Sequence, residues 1–232
     1  YPIQTYVIAE NKQIIKDAIY KEMSRNGQIF ILFNNIEEME NNYEGYNGAV
    51  RFIMKNNLRG IEGVTADLME VPRGFEVAIE TALGNNLQNI VTEDENDAKR
   101  AIEYLKETRG GRATFVPIKA VKGKKLGENE FKSLNGYVGI ACDLIKFDKK
   151  FETVMADQLG RIIVIDNIDN AISFARKTGA RHKLVTLEGE VFNAGGSITG
   201  GSVNKNVNFL SRGAKITELA EKSWNRKKNV TE

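Results

Sequence analysis

The sequence predicts a mixed α/β (α+β) fold made of two pseudo-symmetric subdomains, and three observations lead there. The first is an internal repeat: Gly60-x-x-Gly63-Val64-x-x-Asp67-Leu68 returns 76 positions later as Gly136-x-x-Gly139-Ile140-x-x-Asp143-Leu144. The second is that the match continues. Phe75-Glu76 aligns with Phe151-Glu152 and Leu83-Gly84 with Leu159-Gly160; after a three-residue deletion, Asn89-Ile90-Val91 and Asp97-Ala98 align with Ile162-Ile163-Val164 and Asn170-Ala171. The third is a shared succession: an extended Gly-bounded segment, a helix ending at glycine, an apolar strand, a second helix and another strand (113–117 and 184–187). Two copies of this length specify paired subdomains, since a solenoid needs more and shorter repeats.

Taken in order, residues 1–35 read as strand, helix, strand. Ile3–Ala9 alternates, Asn11 caps a helix with Ile14, Ile15, Ala18, Ile19 and Met23 on one face, Asn26-Gly27 stops it, and Gln28–Phe33 is a nearly continuous apolar strand. Over 36–57 the period changes. Ile36, Met39, Tyr43, Tyr46, Val50 and Ile53 fall at spacings of 3, 4, 3, 4 and 3, which suits either the end of a coiled coil or an amphipathic helix on a globular core. Gly45 and Gly48 fall within that helix at roughly 1 kcal/mol each relative to Ala, so a partner must stabilise it.

The body is expected over 58–203, with halves 60–117 and 136–203 joined by a lysine-rich connector, 118–135. Residues 204–232 form a basic tail. Gly84 and Gly160, ending the first helix of each half, are expected in the left-handed conformation common after a helix.

Composition excludes much chemistry. Of 232 residues, 41% are hydrophobic and 28% charged, enough apolar content for a packed core. The formal charge is 33 − 31 = +2, too balanced to indicate a nucleic-acid partner by itself. No apolar run is long enough to span a membrane, and the chain reads as cytoplasmic. A single cysteine, Cys142, excludes an internal disulfide framework and multi-thiolate zinc. A single histidine, His182, excludes paired-histidine metal motifs and reads as a surface side chain in a basic turn. No catalytic residues, cofactor or metal site are expected.

The most informative motif is Gly195-Gly196-Ser197-Ile198-Thr199-Gly200-Gly201. It fits the outline of a phosphate-binding loop, but Gly201 stands where the phosphate-reaching lysine belongs, which argues against nucleotide binding. A flexible loop and a site of close backbone approach both remain open; the stiff Ile198 and Thr199 favour an ordered segment. Lys119, Lys122, Lys124 and Lys125 place four lysines in seven residues, readable as phosphate contacts or as a solvated loop, and Arg109-Gly110-Gly111-Arg112 reads the same two ways. Asp67 and Asp143, equivalent in the repeat, suit capping or turn formation better than catalysis.

From Gly60 to about Val203 the chain resembles the hinge domain of SMC (structural maintenance of chromosomes) proteins, the bacterial ones most closely. The resemblance rests on GIEGVTADLMEV, FEVAIETALGNNLQNIVTEDENDAKRAIEYLK, GRATFVPI, GYVGIACDLIKFDKKFE and EGEVFNAGGSITGGS, with YEGYNGAVR like the helix that leads from the arm. It implies a non-enzymatic module for chromosome condensation and segregation, flanked by coiled-coil arm stubs and pairing as a ring-shaped homodimer through Gly195–Gly201. It also implies weak, sequence-independent DNA binding, with Arg112, Lys119, Lys122, Lys124 and Lys125 as the candidate positions. ATP binding, kleisin and accessory subunits belong to the head regions of full-length family members, which nothing here resembles. Residues 1–35 instead resemble the opening βαβ of the second motor domain of transcription-repair coupling factor. The alternative reading is therefore a fragment of a DNA-translocating ATPase fused to a hinge, itself without the Walker motif that hydrolysis needs.

Overall fold

The repeat in the sequence is a repeat in space. A computed structural model of the chain describes residues 45–201 and Leu210, all within one compact unit, Glu37–Glu232. The expected βαβ unit over 1–35, the first part of the 36–57 seam, and the tail apart from Leu210 lie outside the described residues.

The first half contains strands β1 (Ile61–Val64), β2 (Met69–Glu70), β3 (Ile90–Thr92) and β4 (Phe115–Pro117). The second contains β5 (Tyr137–Ile140), β6 (Lys146–Phe147), β7 (Ile162–Ile165) and β8 (Lys183–Thr186), followed by a hairpin of β9 (Val191–Phe192) and β10 (Ile198–Thr199). Helices are α1 (Gly48–Lys55), α2 (Glu76–Leu83), α3 (Glu95–Glu107), α4 (Glu152–Leu159) and α5 (Ile168–Thr178). The first sheet has the order β1-β3-β4 and the second β10-β9-β8-β7-β5. In each, an antiparallel pair (β1–β3, β5–β7) is followed by a parallel one (β3–β4, β7–β8). Helices α3 and α5 make the crossovers between the parallel strands, and each starts at a side-chain cap, Asp94 or Asn167.

Between the halves, β2 and β6 form a two-stranded antiparallel ribbon with Met69 opposite Phe147. Lys150 Nζ lies 2.6 Å from Glu62 Oε2, and Lys183 Nζ donates to the Ala82 carbonyl at 2.9 Å, capping the C-terminal end of α2 from the other half. One large core spans both halves, from Ile79 and Leu83 on α2 to Met155 and Leu159 on α4. A smaller core joins Ala49, Val50 and Ile53 of α1 to Val64, Ile90, Ala101 and Leu105.

Two expectations are corrected. The helix carrying the seam starts at Gly48. Gly45 has φ +97° and Asn47 is extended, its side chain accepting from the Val50 amide, so Gly45 and Tyr46 precede α1. Val50 and Ile53 are buried in the small core, so over 48–55 the amphipathic-helix reading describes the seam. Neither glycine takes the left-handed helix-closing conformation: Gly160 is right-handed, with φ −67° and ψ −11°, and its repeat partner Gly84 pairs φ +52° with ψ −123°. What calls for glycine at 160 is space: an added Cβ would stand 2.7 Å from the carbonyl oxygen of Lys124. The left-handed glycine that closes a helix is Gly179, after α5.

Candidate interface and the lysine-rich connector

The Gly-rich motif forms the tip and outer strand of the β9–β10 hairpin. Phe192 faces Ile198 and Val191 faces Thr199 across the ladder. Inside the loop the Asn193 amide donates to the Ser197 carbonyl at 2.8 Å and the Gly196 amide to the Asn193 carbonyl at 3.0 Å. Gly195 and Gly196 have φ of +94° and +97°, a backbone that side chains rarely adopt, which is why two glycines turn the chain here. Cβ atoms added at Gly195, Gly196 or Gly201 would meet nothing within 4 Å among the described residues, which leaves open space above them there. Gly200 differs, because its Cβ would lie 3.2 Å from Glu190 Cγ. Glu190 is held in place by the Thr186 hydroxyl, which donates to its carboxylate.

β10 is the terminal strand of its sheet, and Ile198 is 54% exposed. Bonding alternates along an antiparallel ladder. Since Asn193 and Ser197 bond each other, Ile198 points its own N–H and C=O away from β9, out of the sheet edge. β4 ends the other sheet in a complementary way. The Ile90 amide donates to the Thr114 carbonyl and the Ile118 amide to the Thr92 carbonyl. Phe115 and Pro117, in between, therefore face outward, with Pro117 at an edge where its missing N–H leaves no ladder bond unmade.

The connector is strapped to the body. A Cβ at Gly123 would lie 2.4 Å from the Thr153 carbonyl oxygen and 2.7 Å from Ala156 Cβ of α4. The Leu126 amide donates to the Gly160 carbonyl at 2.9 Å, and Phe131 packs among the rings of Tyr137, Phe174 and His182. His182, expected at the surface, is half-buried with its ring edge-on to Phe131 at 5.1 Å.

The basic positions divide accordingly. Lys119 Nζ lies 2.9 Å from Glu93 Oε1, and this hydrogen-bonded pairing raises the lysine above its ordinary range and lowers the glutamate. Lys125 Nζ lies 2.6 Å from Asp143 Oδ1 and is raised likewise. Arg112, Lys122 and Lys124 are exposed and make no ion pair among the described residues. Lys122 and Lys124 flank Gly123 over α4, whereas Arg112 follows Gly111, which sits by Ala49 of α1. The repeat aspartates anchor incoming chain segments: Asp143 holds Lys125, and Asp67 accepts from Tyr46 Oη at 2.7 Å. Burial pushes the Cys142 thiol up to about 11, the wrong direction for a nucleophile.

Residues 58–175 match the family described as the SMC proteins flexible hinge domain. That stretch is half of the chain. The chain belongs to the SMC hinge family. The chromosome partition protein Smc of Halothermothrix orenii is 44% identical over 189 residues, 79% of this chain and 16% of the relative. Its Bacillus subtilis counterpart is 34% identical over 81% of the chain and 16% of the relative. The hinge thus spans about a sixth of the length of these relatives. Among solved structures, the SMC hinge domain of Geobacillus stearothermophilus, crystallised as an asymmetric dimer, superposes with a TM-score of 0.77 at 32% identity, covering 94% of this chain and 87% of that one. The hinge domain of Pyrococcus furiosus SMC superposes at 0.58 with 30% identity, over 76% and 98%. The mixed α/β hinge fold and the chromosome-partition context are those of the family. No helix among the described residues is long and apolar enough to cross a membrane.

Proposed function

We propose that this hinge joins two copies of its chain by laying β10 of one copy on β4 of the other, with the reciprocal contact closing a two-fold ring. The observation that carries the reading is the pair of matching edges: Ile198 and Phe115 each turn outward an N–H and C=O that make no bond among the described residues, each on the last strand of its own sheet. The open space over Gly195, Gly196 and Gly201 lets a second backbone come close. Two-fold pairing is the commonest symmetry of soluble oligomers, and the G. stearothermophilus hinge is itself described as a dimer. The module does no chemistry: it links two subunits of a chromosome-partition protein, whose kleisin and accessory subunits would engage other regions.

Sedimentation or light scattering across a concentration series is expected to give twice the 25.9 kDa chain mass. Ile198→Asp, which keeps the backbone but places charge on the edge, is expected to give a folded monomer. A wild-type monomer at high micromolar concentration, or an Ile198→Asp dimer of unchanged affinity, would overturn the reading.

Weak sequence-independent DNA binding is the second part of the proposal, supported by Arg112, Lys122 and Lys124, whose charges the fold leaves uncompensated among the described residues. Double charge reversal at Lys122 and Lys124 should weaken binding and flatten its log–log salt dependence by about two. Binding and salt slope that ignore both substitutions would remove these residues from any DNA contact.

A further inference from the structure

Helix α5 closes in an orderly way and then does something the closure does not require. The Gly179 amide donates to the Arg176 carbonyl at 3.3 Å and the Ala180 amide to the Ala175 carbonyl at 2.8 Å, with Gly179 left-handed at φ +66°. That arrangement satisfies the last carbonyls of the helix. Yet Ala180, the next residue, is also left-handed, at φ +52°. The other non-glycine residues with positive φ among those described are Asn57 and Arg109. Asparagine can offset the steric penalty with a local side-chain hydrogen bond, whereas alanine has no such means. A conformation that costs energy locally persists because the surroundings hold it.

What the conformation achieves is visible in the bond that follows. The Ala180 carbonyl accepts from the Gly195 amide at 2.9 Å. Gly195 sits at the tip of the β9–β10 loop, whose bonds between Asn193 and Ser197 and between Gly196 and Asn193 are all internal to the hairpin. The Ala180–Gly195 bond ties that tip to the body. Arg181 braces the turn from the far side, donating from Nε to the Thr178 carbonyl at 2.9 Å and lying 3.6 Å from Glu130 of the connector.

We infer that Ala180 is a positioning residue for the Gly-rich edge: its left-handed backbone aims a carbonyl at Gly195 and thereby fixes the direction in which β10 meets a second copy of the chain. This rests on the reading of β10 as the contact strand. It assigns a role to a residue outside β10 that lies fifteen positions from the glycine it holds.

The test is a series at position 180 in the full chain, with the dimer dissociation constant measured by sedimentation and Gly195 amide exchange followed by NMR in the Ile198→Asp background. Ala180→Val, whose branched side chain disfavours the left-handed region, should raise the dissociation constant by about tenfold. It should also speed Gly195 exchange while leaving the β7 amides protected. Ala180→Asn, which tolerates that region, should match or exceed wild-type affinity. Ala180→Gly, which enters that region with no steric cost, should likewise match or exceed wild-type affinity, and with the asparagine variant it carries the test if the valine variant fails to fold. A merely structural residue would shift the melting temperature and the exchange of all amides together, without the asparagine rescue. A dimer whose affinity is indifferent to residue 180, or Gly195 exchange that is the same across the series, overturns the assignment. Failure of the dimer reading itself shows differently, as a wild type that never dimerises.

Discussion

Phe131→Ala is expected to destabilise the hinge by about 3–5 kcal/mol, the range for emptying a large aromatic from a closed core. Phe131 is 1% exposed and its ring lies 5.8 Å from Phe174, 6.4 Å from Tyr137 and 5.1 Å from His182, so no neighbour can collapse into the space without losing its own packing. At about 2–4 °C per kcal/mol for a domain of this size, the melting temperature should fall by roughly 6 °C or more. Thermal denaturation followed by circular dichroism measures it. A fall of only a degree or so would mean that the connector is a surface strap and that the second half is closed by its own helices alone.

Gly123→Ala should be nearly as damaging for the opposite reason, too many atoms. The new Cβ would press on the Thr153 carbonyl and Ala156 Cβ of α4, atoms of the helix itself rather than the ends of flexible side chains. Overpacking of this kind costs about 1–3 kcal/mol, and a backbone obstacle puts the expectation at the upper end. Gly127→Ala is the matched control. Its Cβ would meet nothing within 4 Å and its φ of −74° is ordinary, so the loss of unfolded-state freedom should leave stability unchanged or raised by about 0.4–1 kcal/mol. Urea titrations of the two variants side by side decide the matter. Equal midpoints would show that the connector stands off α4.

These two residues also mark where sequence reading stops. The 76-residue repeat carries the two halves and the succession of strands and helices in each, because β7 and β3 are short apolar runs bounded by helix caps and such runs are legible, whereas the backbone at Gly84 and Gly160 does not follow from it. From the sequence the connector is a lysine-rich link between them. Four lysines in seven residues dominate any local view, while Gly123 and Phe131 acquire their roles only from α4, Phe174 and His182, distant in sequence. The ribbon of β2 and β6 has two residues per strand, too few to show a period. Spacing alone puts Tyr46 on the heptad seam and Gly45 within its helix, and the cap at Asn47 overrides both. Of the Gly-rich motif, the sequence carried the need for unusual backbone and the ordering effect of Ile198 and Thr199. It carried no sign of Ala180, since an alanine after a helix-closing glycine has no compositional signature.

Pro117 has one more effect, on what the molecule avoids. An unpaired sheet edge is a template on which any extended chain can grow, and long flat edges of this kind seed aggregates. Along the outward side of β4, Phe115 supplies a donor and an acceptor, and the next outward residue, Pro117, supplies no donor at all. A strand laid on β4 therefore finds a single residue with which it can exchange both bonds. Sliding toward Pro117 loses the donor, and nothing is gained by length. The edge can accept one short strand in one register, which makes it a poor nucleus for fibres.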